Sequence, residues 1–152
     1  MTINTSFSVG ATLTAAQCNN FPRGLTATPA ESIVTETFTS TEEVMLTYTF
    51  SQVSGRNYLF TYIEPNLTGT AASTATMRFR QTNLAGSIYN TLRANVATST
   101  NTMLNAQYLH TATSSGSLTI VATIQISSGT ATATRSSSQI ASLWAVDIGT
   151  GY

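Results

Sequence analysis

The sequence predicts an all-β protein, built as an antiparallel β-sandwich or barrel. Apolar side chains recur with a period of two in several short segments, as in strands that bury one face. Turn signals separate these segments about every 8–12 residues, which is typical of sandwiches and barrels. Thr, a good strand former, is the commonest residue with 30 copies, and 18 Ser accompany it. No segment has the 3.6-residue period of a long amphipathic helix.

The first elements follow in chain order. Residues 11–19 can form at most one or two helical turns, with Thr14 as a candidate N-cap. Residues 44–51 alternate apolar and polar side chains, which predicts a half-buried strand. Residues 58–64 are apolar on both faces except for Thr61, as in a strand covered on both sides. We expect Glu64-Pro65-Asn66 to end that strand.

The rest of the chain predicts five more strands and one short strand. Residues 73–81 carry Arg78 and Arg80 facing outward or into an interface. The pattern at 84–100 is ambiguous, apart from a short strand at 87–89. The remaining strands are predicted at 104–111, at 117–127 with the clearest core face, at 130–135, and at 140–148 with Trp144.

The charge pattern excludes several functional classes. Only 8% of residues are charged, the formal charge is zero, and all six cations are arginines. They are scattered along the chain, whereas a nucleic-acid binder clusters its cations against phosphates, so we expect no nucleic-acid partner. Disorder is excluded because it requires low hydrophobicity with high net charge. Zero net charge favours self-association, which suggests a protein that works inside an assembly.

The domain organisation is predicted to be simple. One β-sandwich domain at 22–152 follows an N-terminal arm at 1–21. The first residues lack a basic region followed by an apolar run, and no stretch approaches the ~18 apolar residues of a membrane span. We therefore expect synthesis in the cytoplasm without a signal peptide, and no membrane partner.

The chemistry-bearing residues argue against an enzyme. Glu42 and Glu43 are adjacent, and a solvated turn explains them better than an acid-base pair does. Cys18 and His110 are the only residues of their kinds. One Cys and one His cannot build a tetrahedral metal site, and nothing in the sequence places Cys18 near His110 as the nucleophile of a Cys–His pair. The glycines are spaced like turn residues and form no phosphate loop. We expect no catalytic residue, no metal and no cofactor, and a site shared between subunits is the one arrangement left open.

The surplus of aromatic residues has three explanations: a sandwich core, a platform for stacking on carbohydrate, or a subunit interface. The two-sided strand at 58–64 favours an interface, because one face can fill the sandwich while the other is covered by another chain. The candidate trimer-interface residues are Tyr58, Phe60, Tyr62, Arg78, Arg80, Tyr108 and Trp144.

Three segments together carry a family resemblance. Residues 13–27 resemble the "LTAAQxN…PRG" segment of many tailed-bacteriophage virion proteins, and residues 55–62 resemble their "GRxYxIT" strand. Residues 143–149 are similar to their terminal "VEDIG" strand, except that Val146 stands where Glu is usual before Asp147. More distantly, the strand at 58–62 is similar to the aromatic strand of trimeric complement-type and tumour-necrosis-factor-type jelly rolls.

The resemblance implies a trimeric jelly roll on the exterior of a phage particle. The first expectation is a decoration (cement) protein that binds and stabilises the major capsid protein, with arm residues Phe7, Leu13, Phe21 and Arg23 as candidate capsid contacts. The alternative is a receptor- or glycan-binding head on a tail or capsid appendage, with Trp144 and tyrosines as stacking platforms. A hydrolase of cell-surface polymers is disfavoured by the missing carboxylate pair.

Overall fold

The computed structural model describes residues 12, 14–98 and 100–150, which form one short helix and eleven strands. The elements are α1 (Ala15–Asn19), β1 (Gly24–Leu25), β2 (Ala30–Ser32), β3 (Glu36–Phe38), β4 (Glu43–Gln52), β5 (Arg56–Gly69), β6 (Ser73–Gln81), β7 (Ile88–Val96), β8 (Thr102–Thr111), β9 (Gly116–Ile126), β10 (Ala131–Ala133) and β11 (Ala141–Thr150).

The strands form two antiparallel sheets that pack as a jelly-roll-like β-sandwich, which confirms the predicted fold class. In the first sheet β5 is central, with β8 on one side and β11 and β10 on the other, and the short strands β1, β2 and β3 lie beyond them. The second sheet has the order β4-β9-β6-β7. Among the described strands, β7 and β8 therefore lie at an edge, one in each sheet.

The inner faces of the two sheets meet in one continuous hydrophobic core. Phe60 lies at its centre, fully buried, with its ring 6.1 Å from those of Phe50 and Phe79. Ile120 and Ile124 of β9 fill the opposite layer, as the pattern at 117–127 predicts. Alternate residues of each long strand therefore build the core, and the others cover the outside.

Two predicted element boundaries are wrong. Strand β5 does not end at Pro65 but continues to Gly69, with an irregularity in its pairing to β8 between Glu64 and Leu67. Proline is tolerated there because a bulge removes the need for its missing N–H. The ambiguous region at 84–100 contains a full strand, β7, which pairs with β6 along nearly its whole length.

The short helix is confirmed. Thr14 is its N-cap: the Thr14 hydroxyl accepts a hydrogen bond from the Gln17 N–H at 3.2 Å, and the Gln17 side chain accepts from the Thr14 N–H at 2.8 Å. This reciprocal arrangement is a capping box, which satisfies donors that a helix start leaves free. None of the described helical residues forms a span long and apolar enough to cross a membrane.

Candidate functional site

A row of apolar side chains crosses the outer face of the first sheet. Leu109 of β8 pairs with Leu59 of β5, Leu59 pairs with Val146 of β11, and Val146 pairs with Leu25 of β1. Directly paired residues of antiparallel strands lie on the same face. Leu25 and Leu109 expose 51% and 47% of their surface, and Leu59 and Val146 are half-buried. We call these four residues the apolar row.

Trp144 extends this surface. It belongs to the neighbouring cross-strand row, paired with Thr61, which in turn pairs with Gln107. Trp144 is half-buried, and Leu143 and Ala145 on either side of it point into the core. Among the described residues of β5, β8 and β11, no outward position carries a charged side chain. The apolar row can therefore be covered by another apolar surface without desolvating an ion. Beyond Trp144, the exposed Glu31 of β2 pairs with Ser142 and lies at the border of this face.

The outer face of the second sheet is chemically different. Thr49 and Thr119 share a hydrogen bond between hydroxyls at 2.8 Å, and Thr47 beside them is exposed. Further along this face the Glu42 carboxylate accepts hydrogen bonds from the Arg80 guanidinium at 2.7 Å and from the Thr123 hydroxyl, and lies 2.9 Å from Arg78. Hydroxyls and ion pairs are compatible with water, so the two outer faces of the sandwich have opposite character.

The aromatic residues predicted to form the interface lie elsewhere. Tyr58, Phe60 and Tyr62 expose at most 1% of their surface and pack in the core of this chain. They cannot contact another subunit in this structure, which corrects their assignment. The alternate residues of the strand, Leu59, Thr61 and Ile63, lie on the outer face instead. The aromatic face of the strand is thus the one that fills the core, and the face that carries Leu59 and Ile63 is the one left for any subunit contact.

Arg78 and Arg80 also have a different role from the one predicted. Both guanidinium groups are bound by Glu42 of the same chain and are mostly buried. The prediction that Glu42 lies in a solvated turn is therefore wrong. Hydrogen bonding to Arg80 is the largest cause that lowers the pKa of Glu42 to about 2, aided by Thr123 and the charge of Arg78 and opposed by burial. These charges hold the second sheet together.

Tyr108 is half-buried at the edge of the core. Its ring stacks on Tyr89 at 5.8 Å between ring centres and lies 6.0 Å from Phe60. His110 stacks on Phe60 at 5.2 Å, and its Nε2 is 3.0 Å from the Gln52 amide oxygen. Burial lowers the pKa of His110, so the ring is neutral near pH 7. These contacts give Tyr108 and His110 structural roles within one chain.

The three segments that carry the family resemblance meet at Arg56. Its guanidinium donates to both carboxylate oxygens of Asp147, at 2.6 and 2.8 Å. It also donates to the carbonyl oxygens of Asn19 and, at 2.7 Å, Phe21. Arg56 belongs to the "GRxY" segment, Asp147 to the terminal segment, and Asn19 and Phe21 to the first segment. One buried arginine thus fastens the N-terminal region to the end of the sandwich.

The predicted arm residues can now be placed. Phe7 and Leu13 lie outside the described residues. Phe21 is 45% exposed, and Arg23 is exposed while its backbone N–H donates to the Asp147 carbonyl at 3.2 Å. Residues 14–23 are therefore attached to the sandwich, and no structural break occurs at the predicted boundary between residues 21 and 22.

A second buried ion cluster lies near the other end of β5. Arg135 donates to Glu64 at 2.6 Å and to Glu36 at 3.1 Å, and the Tyr62 hydroxyl donates to Glu64 at 2.7 Å. The side chains of Arg135 and Glu64 are fully buried. Burial and the Glu64 charge raise the pKa of Tyr62 well above its usual value. In the described part of the chain, no three His, Cys, Asp or Glu side chains are grouped to hold a metal ion.

Sequence reasoning did not identify Leu25, Leu59, Leu109 and Val146 as a surface. The alternation at 58–64 contained the signal, since Leu59 and Ile63 form its second apolar face. The pairing of three other strands beside Leu59 could not be read from a single sequence. Trp144 is the one predicted interface residue that lies on this surface.

The sequence matches no protein-family model and no curated protein. Among solved structures, the chain is similar to part of the infectious bursal disease virus Gt strain structure, with 9% identity, a TM-score of 0.46, and coverage of 84% of this chain and 33% of that one. It is similar to a carbohydrate-binding module of Cellvibrio mixtus lichenase 5A in complex with cellotriose, with 16% identity, a TM-score of 0.40 and coverage of 84% and 99%.

A third similarity is to a structure described as "CBM4 structure and function", with 11% identity, a TM-score of 0.39 and coverage of 57% of this chain. The chain spans about half of that structure's length, and a third of the viral one. At these values the similarities concern the β-sandwich alone.

Proposed function

We propose that this chain is a bacteriophage virion structural protein that acts by binding, as a homotrimeric decoration (cement) protein on the exterior of the capsid. The observation that carries the proposal is the uncharged apolar row on the outer face of the first sheet, opposite a polar second sheet. A face of this kind suits permanent contact with another protein surface. The resemblance of three segments to phage virion proteins supports the setting.

The proposed subunit contact uses the apolar row and Trp144. A cyclic trimer brings related surfaces of identical chains together, and an uncharged surface meets its copies without repulsion between like charges. Burying the exposed half of a leucine gains about 1 kcal/mol, so several such side chains in three subunits outweigh exposed ion pairs, which contribute ~0–1 kcal/mol each. The hydroxyl-rich second sheet then faces water.

The first experiment measures the mass of the assembly by sedimentation. The wild type is expected near 48 kDa, about three times the 16.1 kDa chain. Leu59→Asp is expected to give a folded monomer, because each carboxylate would lose its water in the contact. Thr47→Asp, which places the same charge on the exposed outer face of the second sheet, serves as the control and is expected to remain a trimer. A monomeric wild type would disprove the proposed assembly.

Imaging of virions tests where on the particle this protein is located. A low-resolution particle map is expected to show trimer-sized density on the head lattice, which disappears in particles grown without this protein. Density confined to the tail would contradict the decoration role. Binding of purified protein to heads that lack it, followed by thermal release of packaged DNA, would then measure stabilisation of the shell.

A second candidate function is binding to surface glycans. It is favoured by Trp144, whose half-buried indole lies in the same cross-strand row as the exposed side chain of Gln107, with the buried Thr61 between them. Tyr58 and Tyr62 cannot contribute because they are buried. A glycan array probed with the purified protein tests this function. Specific binding that is lost in Trp144→Ala, while the mass of the assembly is unchanged, would favour it over the decoration role.

A further inference from the structure

A cavity lies between the two sheets, where β7 of the second sheet contacts β8 of the first. Its volume is about 140 Å³. Met77 and Leu104 line its inner part and are almost fully buried. Ala94 and Ala106 also belong to its wall, and their side chains are small. A protein cavity of roughly 150 Å³ holds a benzene molecule, so this one has room for one six-membered ring.

Two methionines make this cavity suited to an aromatic ring. Met77 lines it from β6 and is 2% exposed, and Met103 lines it from β8 and is 63% exposed. A thioether makes favourable contacts with the edge of an aromatic ring, and the flexible methionine side chain adapts to the shape of its neighbour. Met45, the third methionine of the described chain, lies in the core and is not part of this wall.

The mouth of the cavity is polar and carries a positive charge. Arg93 of β7 and Asn105 of β8 belong to the wall, and both are exposed. The residues on either side of them in the two strands are buried or half-buried. One cation and one amide therefore lie where the apolar interior of the cavity meets water.

Arg93 differs from the arginines that stabilise the fold. Within the described chain no carboxylate lies at ion-pair distance from Arg93, whereas carboxylates hold Arg56, Arg78, Arg80 and Arg135. A guanidinium group binds a carboxylate with two parallel hydrogen bonds, and an asparagine amide can donate a further one. Because Arg93 and Asn105 are exposed, a carboxylate bound between them would keep part of its water and avoid most of the cost of burying a charge.

A hydrogen bond between the sheets holds the two sides of the cavity together. The side-chain amide of Asn90 donates to the Gln107 carbonyl at 3.3 Å. Asn90 lies on β7, as Arg93 does, and Gln107 follows Ala106 on β8. The spacing of the two strands is thus set by the fold itself. A preformed site loses less conformational entropy when a ligand binds, which favours binding of a small molecule.

We propose that this cavity binds a small aromatic carboxylate, with the ring against Met77 and Met103 and the carboxylate at Arg93. The combination of a ring-sized apolar space and one cation at its mouth carries the proposal. The site is separate from the proposed subunit contact, since no residue of the apolar row belongs to its wall. Binding is therefore expected whatever the state of assembly.

The test is an NMR titration of the full chain labelled with ¹³C at the methionine methyl groups. Sodium benzoate and benzamide, which has the same ring without the charge, are added at constant ionic strength. The methyl signals of Met77 and Met103 are expected to shift until saturation, whereas that of Met45 stays in place. Benzoate is expected to bind at least fivefold more tightly than benzamide. Equal affinities would overturn the assignment of the carboxylate to Arg93, and a titration without saturable shifts would overturn the site.

A charge variant separates the role of Arg93 from the shape of the cavity. Arg93→Gln is expected to weaken benzoate binding at least fivefold, to the level of benzamide, and to leave benzamide binding unchanged. Arg23→Gln, at another exposed arginine outside the wall, is the matched control and should change neither affinity. Unchanged benzoate binding in Arg93→Gln, or an equal loss for both compounds, would contradict this role.

A cavity-filling variant tests where the ring lies. Ala94→Leu occupies the space that the ring needs, so the saturable shifts of Met77 and Met103 are expected to disappear for both compounds. An unchanged Met45 signal in this variant would show that the core is intact. Benzoate binding with wild-type affinity in Ala94→Leu would place the ligand elsewhere and overturn the site.

Discussion

The Glu42 carboxylate connects parts of the second sheet that are distant in sequence. It lies just before β4, and its partners are Thr123 on β9 and Arg78 and Arg80 on β6. Because the pKa of Glu42 is lowered to about 2, these interactions stabilise the folded chain. Glu42, which the sequence places in a solvated turn, therefore links the start of β4 to β6 and β9. We call this group of contacts the Glu42 clamp.

This clamp predicts a specific loss of stability in acid. The Glu42 contribution is fully present above the usual Glu pKa of about 4.3 and is lost as pH falls toward 2. We expect Glu42→Gln to lower the free energy of unfolding at pH 7 by about 1–3 kcal/mol, and to differ little from the wild type near pH 2. Urea unfolding at a series of pH values measures both. Glu43→Gln, at an exposed neighbouring position, is the control. A constant difference between variant and wild type at all pH values would contradict this account.

Two arginines form ion pairs in the interior of the protein. Arg56 and Arg135 are each almost fully buried and each contacts at least one carboxylate. Removing one partner of such a pair typically costs about 3–5 kcal/mol because the other charge stays buried. The sequence does not reveal these pairs, since Arg56 and Asp147 are 91 residues apart.

At the scale of the elements, the attachment of α1 to β11 depends on a glycine. Gly149 has a φ of +104°, in the left-handed region, and a Cβ at this position would lie 2.7 Å from the Asn20 carbonyl oxygen. The Thr150 N–H donates to the same carbonyl. Glycine is therefore required both for the backbone angle and for the close approach of the N-terminal segment.

Gly149→Ala is expected to detach residues 14–23 while leaving the sandwich folded. Gly55→Ala is the matched control, because Gly55 has a φ of +78° and no atom within 4 Å of an added Cβ. Both variants pay backbone strain of about 1 kcal/mol, but only Gly149→Ala adds a clash with backbone. Hydrogen exchange of Cys18 and Phe21 amides should accelerate at least tenfold in Gly149→Ala and remain unchanged in Gly55→Ala. Equal exchange in both would show that the attachment does not depend on this contact.

Strong periodicity in the sequence located the long strands. The alternation at 44–51, 73–81, 104–111, 117–127 and 140–148 corresponds to β4, β6, β8, β9 and β11. Strand β7 was ambiguous because its inward residues Leu92 and Ala94 alternate with Thr91 and Arg93, a pattern with few large apolar side chains. Strands β1, β2 and β3 have only two or three residues, too few for a period to be visible.

Sequence could not decide which face of β5 enters the core. Both faces are apolar, and the answer depends on the strands beside it and the sheet packed against it. The aromatic face is inside because Phe60 completes a cluster with Phe50, Phe79 and Tyr89 from three strands of the second sheet. The aliphatic face then becomes part of the apolar row, which one sequence without the pairing could not reveal.

At the scale of the whole molecule, the few charged residues are distributed unevenly between the interior and the two outer faces. In the part of the chain that the structure describes, four arginines form ion pairs, and these pairs connect parts of the fold. Among the described residues of β5, β8 and β11, no charged side chain lies on the outer face of the first sheet. The hydroxyl-rich residues predicted to face solvent do so on the second sheet.

The proposed assembly predicts that thermal stability depends on protein concentration. If folded chains are stabilised by association, dilution lowers the apparent Tm. We expect a clear rise in Tm across a hundredfold increase in wild-type concentration, and no dependence for Leu59→Asp. Scanning calorimetry measures it, with Thr47→Asp as the charge-matched control. A wild-type Tm that does not change with concentration would argue against a weakly or moderately associating trimer.

The contact of three chain segments at Arg56 also restricts which segments of this chain can be replaced independently. Residues 14–23, the start of β5 and the end of β11 share one guanidinium, two backbone carbonyls and one carboxylate. A hybrid that takes its N-terminal region from one relative and its last strand from another stays intact only if both sides of this junction match. Residues 14–23 and the end of β11 are thus a single structural unit that must be replaced together, although more than a hundred residues separate them in the chain.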